Sequence, residues 1–268
     1  ANGPALGGSV VTLLGQDFKR DDQTYLKQVD PFTTVLAKVE VGYGVRVGGT
    51  ACSATAWVSE TSVTCSLAPG TGAAGAVVVT VAGNRSTVQG GFSYDLPAVA
   101  GVNPGNDTLH GTSGGLLVTV SGSGFGTFDD GQIAVVDGLD CAAPSPWVSD
   151  SSMLCTVPQG VGEALAVGVV HKPQGGAARQ VGETGGLLNY ARPVLSNVSG
   201  AELVQTGTLP YVEVTGANLG TMDFGNLIVT VGPNPCSDSV WVSDSSARCR
   251  VPPGSGTGAV GVTLNGVL

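Results

Sequence analysis

Charge is scarce in this sequence. Lys and Arg number 11 against 20 Asp and Glu, charged residues make up 12% of the 268, and the formal net charge is −9. So few cations, outnumbered, do not build the basic surface that neutralises a phosphate backbone, so no nucleic-acid partner is expected. Histidine is nearly absent: His110 and His171 are the only two. With no convergent acid pair beside them, no catalytic set and no metal ligands are assigned, the chain is read as no enzyme, and no cofactor is expected. Aromatics stand at 5%, and the repeat described below accounts for most of them, which counts against a broad aromatic face for glycans. No apolar run reaches the roughly 18 residues of a spanning helix, so no membrane contact is expected within this segment. No stretch shows a 3.6-residue period with caps over ten residues. The first residue is Ala, with no charged-then-apolar leader behind it, so the sequence reads as a mature or excised segment of a longer protein.

What is present is glycine, proline and repetition. The 43 Gly and 15 Pro are many, but 42% hydrophobic residues argue for real cores. "WVSETS" at 57–62 returns as "WVSDSS" at 147–152 and again at 241–246. A recurrence at about 90 residues divides the chain into three units. Each unit holds one cysteine pair with a Trp between its members: Cys52 and Cys65 around Trp57, Cys141 and Cys155 around Trp147, Cys236 and Cys249 around Trp241. A zinc site would want its cysteines roughly two to four residues apart and usually His beside them. Neither holds here, so the pairs are read as three disulfides formed in an oxidising compartment. Each closes a loop of about 15 residues, worth on the order of 3 kcal/mol in the chain-entropy view. The Trp is expected to cover the disulfide. The following Ser and Asp are expected to bond their own backbone in a tight turn; a metal- or ligand-binding role for Asp150 and Asp244 is the alternative.

The remainder of each unit is short, alternating and punctuated by Gly and Pro. "GGLLVTVSGSGFG" (114–126) has counterparts at 7–18 and 209–220, and further strands carry the first Cys, the second Cys and "ALAVGVV" (164–170). A last strand closes the first two units, "GGFSYDLP" (90–97) and "GGLLNYARP" (185–193). Strands at this spacing predict an all-β chain of sandwiches.

These residues resemble the IPT/TIG domain, an immunoglobulin-like β-sandwich. The second unit carries the pattern most fully: Pro97, Gly114, Gly115, Thr119, Gly122, Phe125, Cys141, Trp147, Cys155, Pro158, Gly160, Tyr190 and Pro193. The resemblance extends over essentially the whole chain and implies three tandem domains at 1–96, 97–192 and 193–268. It departs at both ends: the first unit lacks an opening strand and the third a closing strand. That implies either a longer array or strands supplied by a neighbouring chain. The family as such spans receptor ectodomains, adhesion and gamete-recognition proteins, bacterial surface proteins, accessory modules of secreted enzymes and transcription factors. Fold therefore does not fix function.

Several motifs carry less than they suggest. "GTSGG" (111–115) matches a nucleophile elbow, but its glycines lead into a strand and no helix follows, so it is a chance match. "GYGVRVG" (42–48) has no helix for a dinucleotide and reads as a strand with a hairpin or bulge. "DDG" (129–131) with Asp137 and Asp140 reads as a solvated loop, with weak Ca²⁺ binding as the alternative. Three sequons, at Asn84, Asn106 and Asn197, mark candidate N-linked glycans; Asn84 is placed at a turn after a strand, and the other two at like positions after opening strands.

One segment breaks the repeat. Phe18 to Cys52 is about twice as long as Phe125 to Cys141 or Leu219 to Cys236. The excess, 19–38, holds Lys19, Arg20, Tyr25, Lys27 and Phe32, and is either a decorative insertion or a partner contact, since loops on rigid scaffolds carry recognition.

Two functions compete. The first is an extracellular or cell-surface structural and adhesive protein, a glycosylated semi-rigid rod that associates end to end as a fibre or surface appendage, or meets other surface proteins. The alternative is a receptor-type ectodomain for a protein or glycan ligand. An accessory module of a secreted enzyme ranks third and would place the chemistry outside this segment.

Overall fold

The computed structural model describes residues 1–18, 24–31, 33–38, 42–73, 75–105, 107–142, 146–171, 180–200, 211–225, 227–253 and 258–264. Every regular element among them is a β-strand.

In the first unit these are β1 (Asn2–Gly3), β2 (Val10–Leu14), β3 (Thr24–Asp30), β4 (Thr33–Lys38), β5 (Tyr43–Val47), β6 (Thr50–Ala51), β7 (Ala54–Ser59), β8 (Ser62–Ser66), β9 (Gly75–Val81) and β10 (Asn84–Tyr94). The second has β11 (Ala98–Asn103), β12 (Leu109–His110), β13 (Leu117–Ser123), β14 (Ile133–Val136), β15 (Leu139–Asp140), β16 (Trp147–Ser149), β17 (Ser152–Thr156), β18 (Leu165–His171) and β19 (Gln180–Tyr190). The third has β20 (Val194–Ser199), β21 (Tyr211–Ala217), β22 (Leu227–Val231), β23 (Asn234–Pro235), β24 (Asp238–Ser243), β25 (Ser246–Arg250) and β26 (Val260–Leu264).

The second unit is a complete sandwich. One sheet runs β11-β13-β17-β16 and the other β12-β19-β18-β14-β15. Alternation explains the two faces: in β13 Val118 and Val120 point inward and are buried, as are Met153 and Cys155 in β17. Between the sheets they meet Val136, Val167, Val169, Leu188 and Tyr190 in one cluster.

The described residues of the outer units form fewer strands of this sandwich. Among the described residues the first unit's smaller sheet is β2-β8-β7, without a strand in the place of β11 or β20. Val11 and Leu13 of β2 are only half-buried, while the matching Val118, Val120, Val212 and Val214 are 0–2% exposed. In the third unit, among the described residues, the second sheet is β23-β22-β26, and none of them forms a counterpart of β10 or β19.

The inserted segment contributes structure of its own. β3 and β4 pair antiparallel as a separate two-stranded sheet, Leu26 opposite Leu36. "GYGVRVG" is β5 turning through Gly48 and Gly49, both at positive φ, into β6. "GTSGG" is the turn before β13. The closing strands are longer than the sequence suggests: β10 starts at Asn84 and β19 at Gln180, and each shifts register before its last residues.

Candidate functional site: turn clamps and unit junctions

All three disulfides are formed, Cys52–Cys65, Cys141–Cys155 and Cys236–Cys249, with Cα–Cα separations of 5.7, 5.4 and 5.7 Å. Each joins the strand that carries the second cysteine to the residue directly after the short strand β6, β15 or β23, and each Trp packs half-buried against the same cluster. Two of the indoles also tie down a loop, Trp57 donating to the Phe18 carbonyl at 2.8 Å and Trp241 to Gly220 at 3.0 Å.

The turn after each Trp is partly as expected. Ser149 and Ser243 accept from the backbone N–H two residues on, each at 3.3 Å. The Asp does something else. Asp150 accepts from the N–H of Gly126 at 3.0 Å and of Gly124 at 3.4 Å, and Asp244 from Gly220 at 3.0 Å. The carboxylate reaches across to the loop that follows β13 or β21 and fastens it. Bonds of this charge-assisted kind are about twice as strong as neutral ones.

That loop is where units meet. At the first junction Thr71 donates to Asp130 at 2.5 Å. Buried Gln132 holds the loop in shape: its amide donates to the carbonyls of Phe125 and Phe128 and accepts from the N–H of Asp130. At the second junction the matching pair is apolar, Val161 against Phe224, and Val161 joins the third unit's core. The spacing is the same at both. A Cβ on Gly126 would lie 3.1 Å from Thr71, and one on Gly220 would lie 3.1 Å from Val161. Both glycines have φ near +90°, which side-chain-bearing residues rarely adopt. A further bond strengthens the second junction: Thr112 donates to Asp244 at 2.7 Å, so this one carboxylate holds its own loop and the preceding unit. At the first junction Ala5 stands where Thr112 does, without a hydroxyl. Arg192 pairs with Glu163, and Asn218 donates to the Arg192 carbonyl at 2.9 Å, tying the link itself.

These contacts escape a reading of single motifs. Thr112 lies inside the "GTSGG" match, and Asp130 inside "DDG". Aligning the units position by position, rather than searching for active-site patterns, would have drawn attention to both.

The two histidines are buried, in β12 and β18. Burial lowers both from the ordinary imidazole value; for His171 a bond with the Gly124 carbonyl and the charges of Asp130 and Asp150 offset part of this. Tyr190 is pushed up to about 12 by burial, with the Asp137 charge adding to it. Among the described residues no group of three or more His, Cys, Asp or Glu is placed to hold a metal.

Asn84 opens β10 and is exposed, beside a groove of about 250 Å³ bounded by Asp17, Val81 and Arg85. Asn197 does not follow its opening strand. It lies within β20, on the sheet's edge, opposite Thr215, in the position that Gly101 takes in β11; the four residues after Pro193 are too few to leave the strand. Asn106 lies outside the described residues, as do Lys19, Arg20 and Phe32; Tyr25 and Lys27 belong to β3.

The family model of the IPT/TIG domain matches residues 1–94, 106–183 and 193–268. Solved structures similar to this chain include the full extracellular region of plexin A4, at 18% identity and TM-score 0.32, covering 94% of this chain and 20% of that one. The I9–I11 tandem from titin is similar at 8% identity and TM-score 0.27, covering 97% and 94%. A glucan-utilization-locus protein from Bacteroides ovatus, SGBP-B in complex with a mixed-linkage heptasaccharide, is similar at 14% identity and TM-score 0.23, covering 100% and 60%. The chain thus spans a fifth of the plexin chain. With one match to each unit, and nearly every residue inside a match, the chain belongs to the IPT/TIG domain family.

Proposed function

We propose that the chain is a non-enzymatic, extracellular structural segment: a semi-rigid rod of three sandwiches that positions binding surfaces or joins end to end with its like. The observation that carries this reading is the repetition of one junction. At both, the same loop glycine in the same conformation, Gly126 or Gly220, faces the same position of the preceding unit, Thr71 or Val161, and each junction adds a side-chain bond across it, Thr71 to Asp130 or Thr112 to Asp244. Joints built on the same loop and the same glycine support a regular succession of units. The disulfides suit an oxidising compartment, and glycans on exposed Asn84 and Asn197 would shield sheet edges from unwanted pairing.

The test is the solution shape. Small-angle scattering of the glycosylated protein should give an elongated particle of fixed maximum dimension, and electron microscopy at high concentration should show end-to-end filaments. A compact or widely distributed shape would overturn the rod.

The β3–β4 hairpin favours a second reading, a receptor-type ectodomain, because among the described residues the other units have no such element. Replacing 19–38 by a short turn should then abolish partner capture on cells and leave the scattering of the rod unchanged.

A further inference from the structure

His110 stands two residues before the threonine that crosses the second junction. It belongs to β12, a two-residue strand at the edge of its sheet that runs parallel to β19, Leu109 opposite Asn189 and His110 opposite Tyr190. Leu109 is 59% exposed and His110 1%, so the imidazole is the side chain that β12 sends inward. Two main-chain bonds hold the same segment: Ala191 donates to the His110 carbonyl at 2.8 Å, and Gly160 to that of Thr112 at 2.9 Å. Thr112, itself buried, donates in turn to Asp244 of the third unit. Ring, strand and junction bond thus lie on one short stretch of chain.

The first unit carries the same strand without the ring. β1 pairs with β10 in the same register, Asn2 opposite Ser93 and Gly3 opposite Tyr94. Asp95 and Gly70 donate to the carbonyls of Gly3 and Ala5 at 2.7 and 2.9 Å. Gly3 therefore takes the place of His110, and Ala5 that of Thr112. A Cβ on Gly3 would lie 3.0 Å from the Phe92 ring. The second unit has Leu188 in place of Phe92, and the shorter side chain leaves room for an imidazole. The strand that forms a side-chain bond across its junction is the one that a histidine anchors.

The site suits only a neutral ring. Neither imidazole nitrogen has a hydrogen-bond partner, although the Gly105 carbonyl is near enough to offset part of the burial. The titratable and charged groups around it supply no free counter-charge. Tyr190 across β19 is neutral, Arg192 beyond Ala191 pairs with Glu163, Asp244 is held by Thr112 and Gly220, and Asp107 is exposed. Burial thus lowers the affinity of His110 for protons. As pH falls below the ordinary imidazole value of 6.5, a proton binds the released strand and not the packed one, so release gains and packing loses.

We propose that His110 is an acid-sensitive latch on the second junction. Protonation turns the ring out to water, β12 parts from β19, and Thr112 leaves Asp244. The bonds of Gln159 with Thr221 and of Asn218 with the Arg192 carbonyl remain, so the units stay joined at a looser angle. The latch takes its mechanical meaning from the rod reading, and scattering at neutral pH tests the rod by itself.

The test is hydrogen exchange on the whole chain between about pH 7 and 5, corrected for the intrinsic pH dependence of amides. The amides of Ala191 and Gly160 should lose up to about tenfold in protection per pH unit, the slope of one proton, and should exchange ahead of those in β13 and β17. The matching amides of Asp95 and Gly70 should keep their protection. Scattering over the same range should show a broadening distribution of particle lengths. His110→Phe, which places an aromatic ring like that of the first unit in the same space, should abolish both effects and keep the neutral profile. Thr112→Val should retain the loss of protection and scatter broadly at either pH. Exchange of Ala191 and Gly160 at one rate with β13 and β17 would mean that the strand leaves only when the whole unit unfolds, and would overturn the latch. So would equal losses at Asp95 and Gly70, or none at Ala191 and Gly160. If His110→Phe does not fold, this contrast between the two units of the unaltered chain decides.

Discussion

His110 and His171 are 1% and 2% exposed, and both belong to the second unit. Their lowered affinity for protons has a defined consequence for stability. In the unfolded chain both titrate near pH 6.5; in the folded unit burial holds them neutral to lower pH. Stability is therefore fully present above about pH 6.5 and is lost as pH falls from there toward the folded values, by up to about 1.4 kcal/mol per pH unit for each histidine. Calorimetry between pH 7 and 5 should show one of three transitions moving down, and His110→Asn with His171→Asn should flatten that slope. An equal slope in the double variant would place the acid sensitivity elsewhere. At this scale the sequence is legible where chemistry is local. An even cysteine count and a fixed Trp position identify three disulfides, but nothing around His110 or His171 in the sequence announces their burial, because the neighbours that enclose them come from distant strands.

The Trp–Ser–Asp turn shows how an element is read and misread. Its serines act within the turn, as short polar side chains do, and sequence suffices to place them. Its aspartate acts on a loop more than twenty residues away, which only the pairing of β13 with β17, or of β21 with β25, brings near. Asp150→Ala should therefore cost the second unit about 2 kcal/mol, since two backbone N–H groups lose a charged acceptor, while Ser149→Ala should stay within about 0.5 kcal/mol. Urea unfolding followed by tryptophan fluorescence in a chain whose Trp57 and Trp241 are replaced by Phe distinguishes these; equal effects would return Asp150 to a turn-former. Removing the Cys141–Cys155 bridge by a double Cys→Ala change should cost about 3 kcal/mol by the same measurement. Strand extent was legible in part. The closing strands read as 90–97 and 185–193, yet β10 and β19 begin earlier, because Gly90 and Gly186, at positive φ, break the alternation that a sequence pattern follows.

For the whole molecule the question is whether the units hold a set angle, and two glycines isolate it. Gly220 and Gly225 lie on one loop of the third unit and both have positive φ, 90° and 75°. An Ala at either suffers the same kind of backbone strain, on the order of 1 kcal/mol. Their surroundings differ. A Cβ at Gly225 meets nothing within 4 Å, while one at Gly220 meets Val161 of the second unit at 3.1 Å and, on its own loop, the Met222 carbonyl oxygen and the Phe224 ring at 3.2 Å. Gly225→Ala should lower the third unit's melting temperature and leave the scattering profile as it was. Gly220→Ala should lower the melting temperature and also change the scattering, pushing the units apart at the junction and broadening the distribution of particle lengths, and Thr112→Val should broaden it further by removing the bond to Asp244. Three repeats and their Pro-bearing links are plain in the sequence, but stiffness is not, since it depends on which loop of one unit touches which loop of the next. If Gly220→Ala and Gly225→Ala scatter alike, the contact at Val161 does not set the angle, the likeness of the two junctions has no mechanical consequence, and the units hang on their links as independent domains.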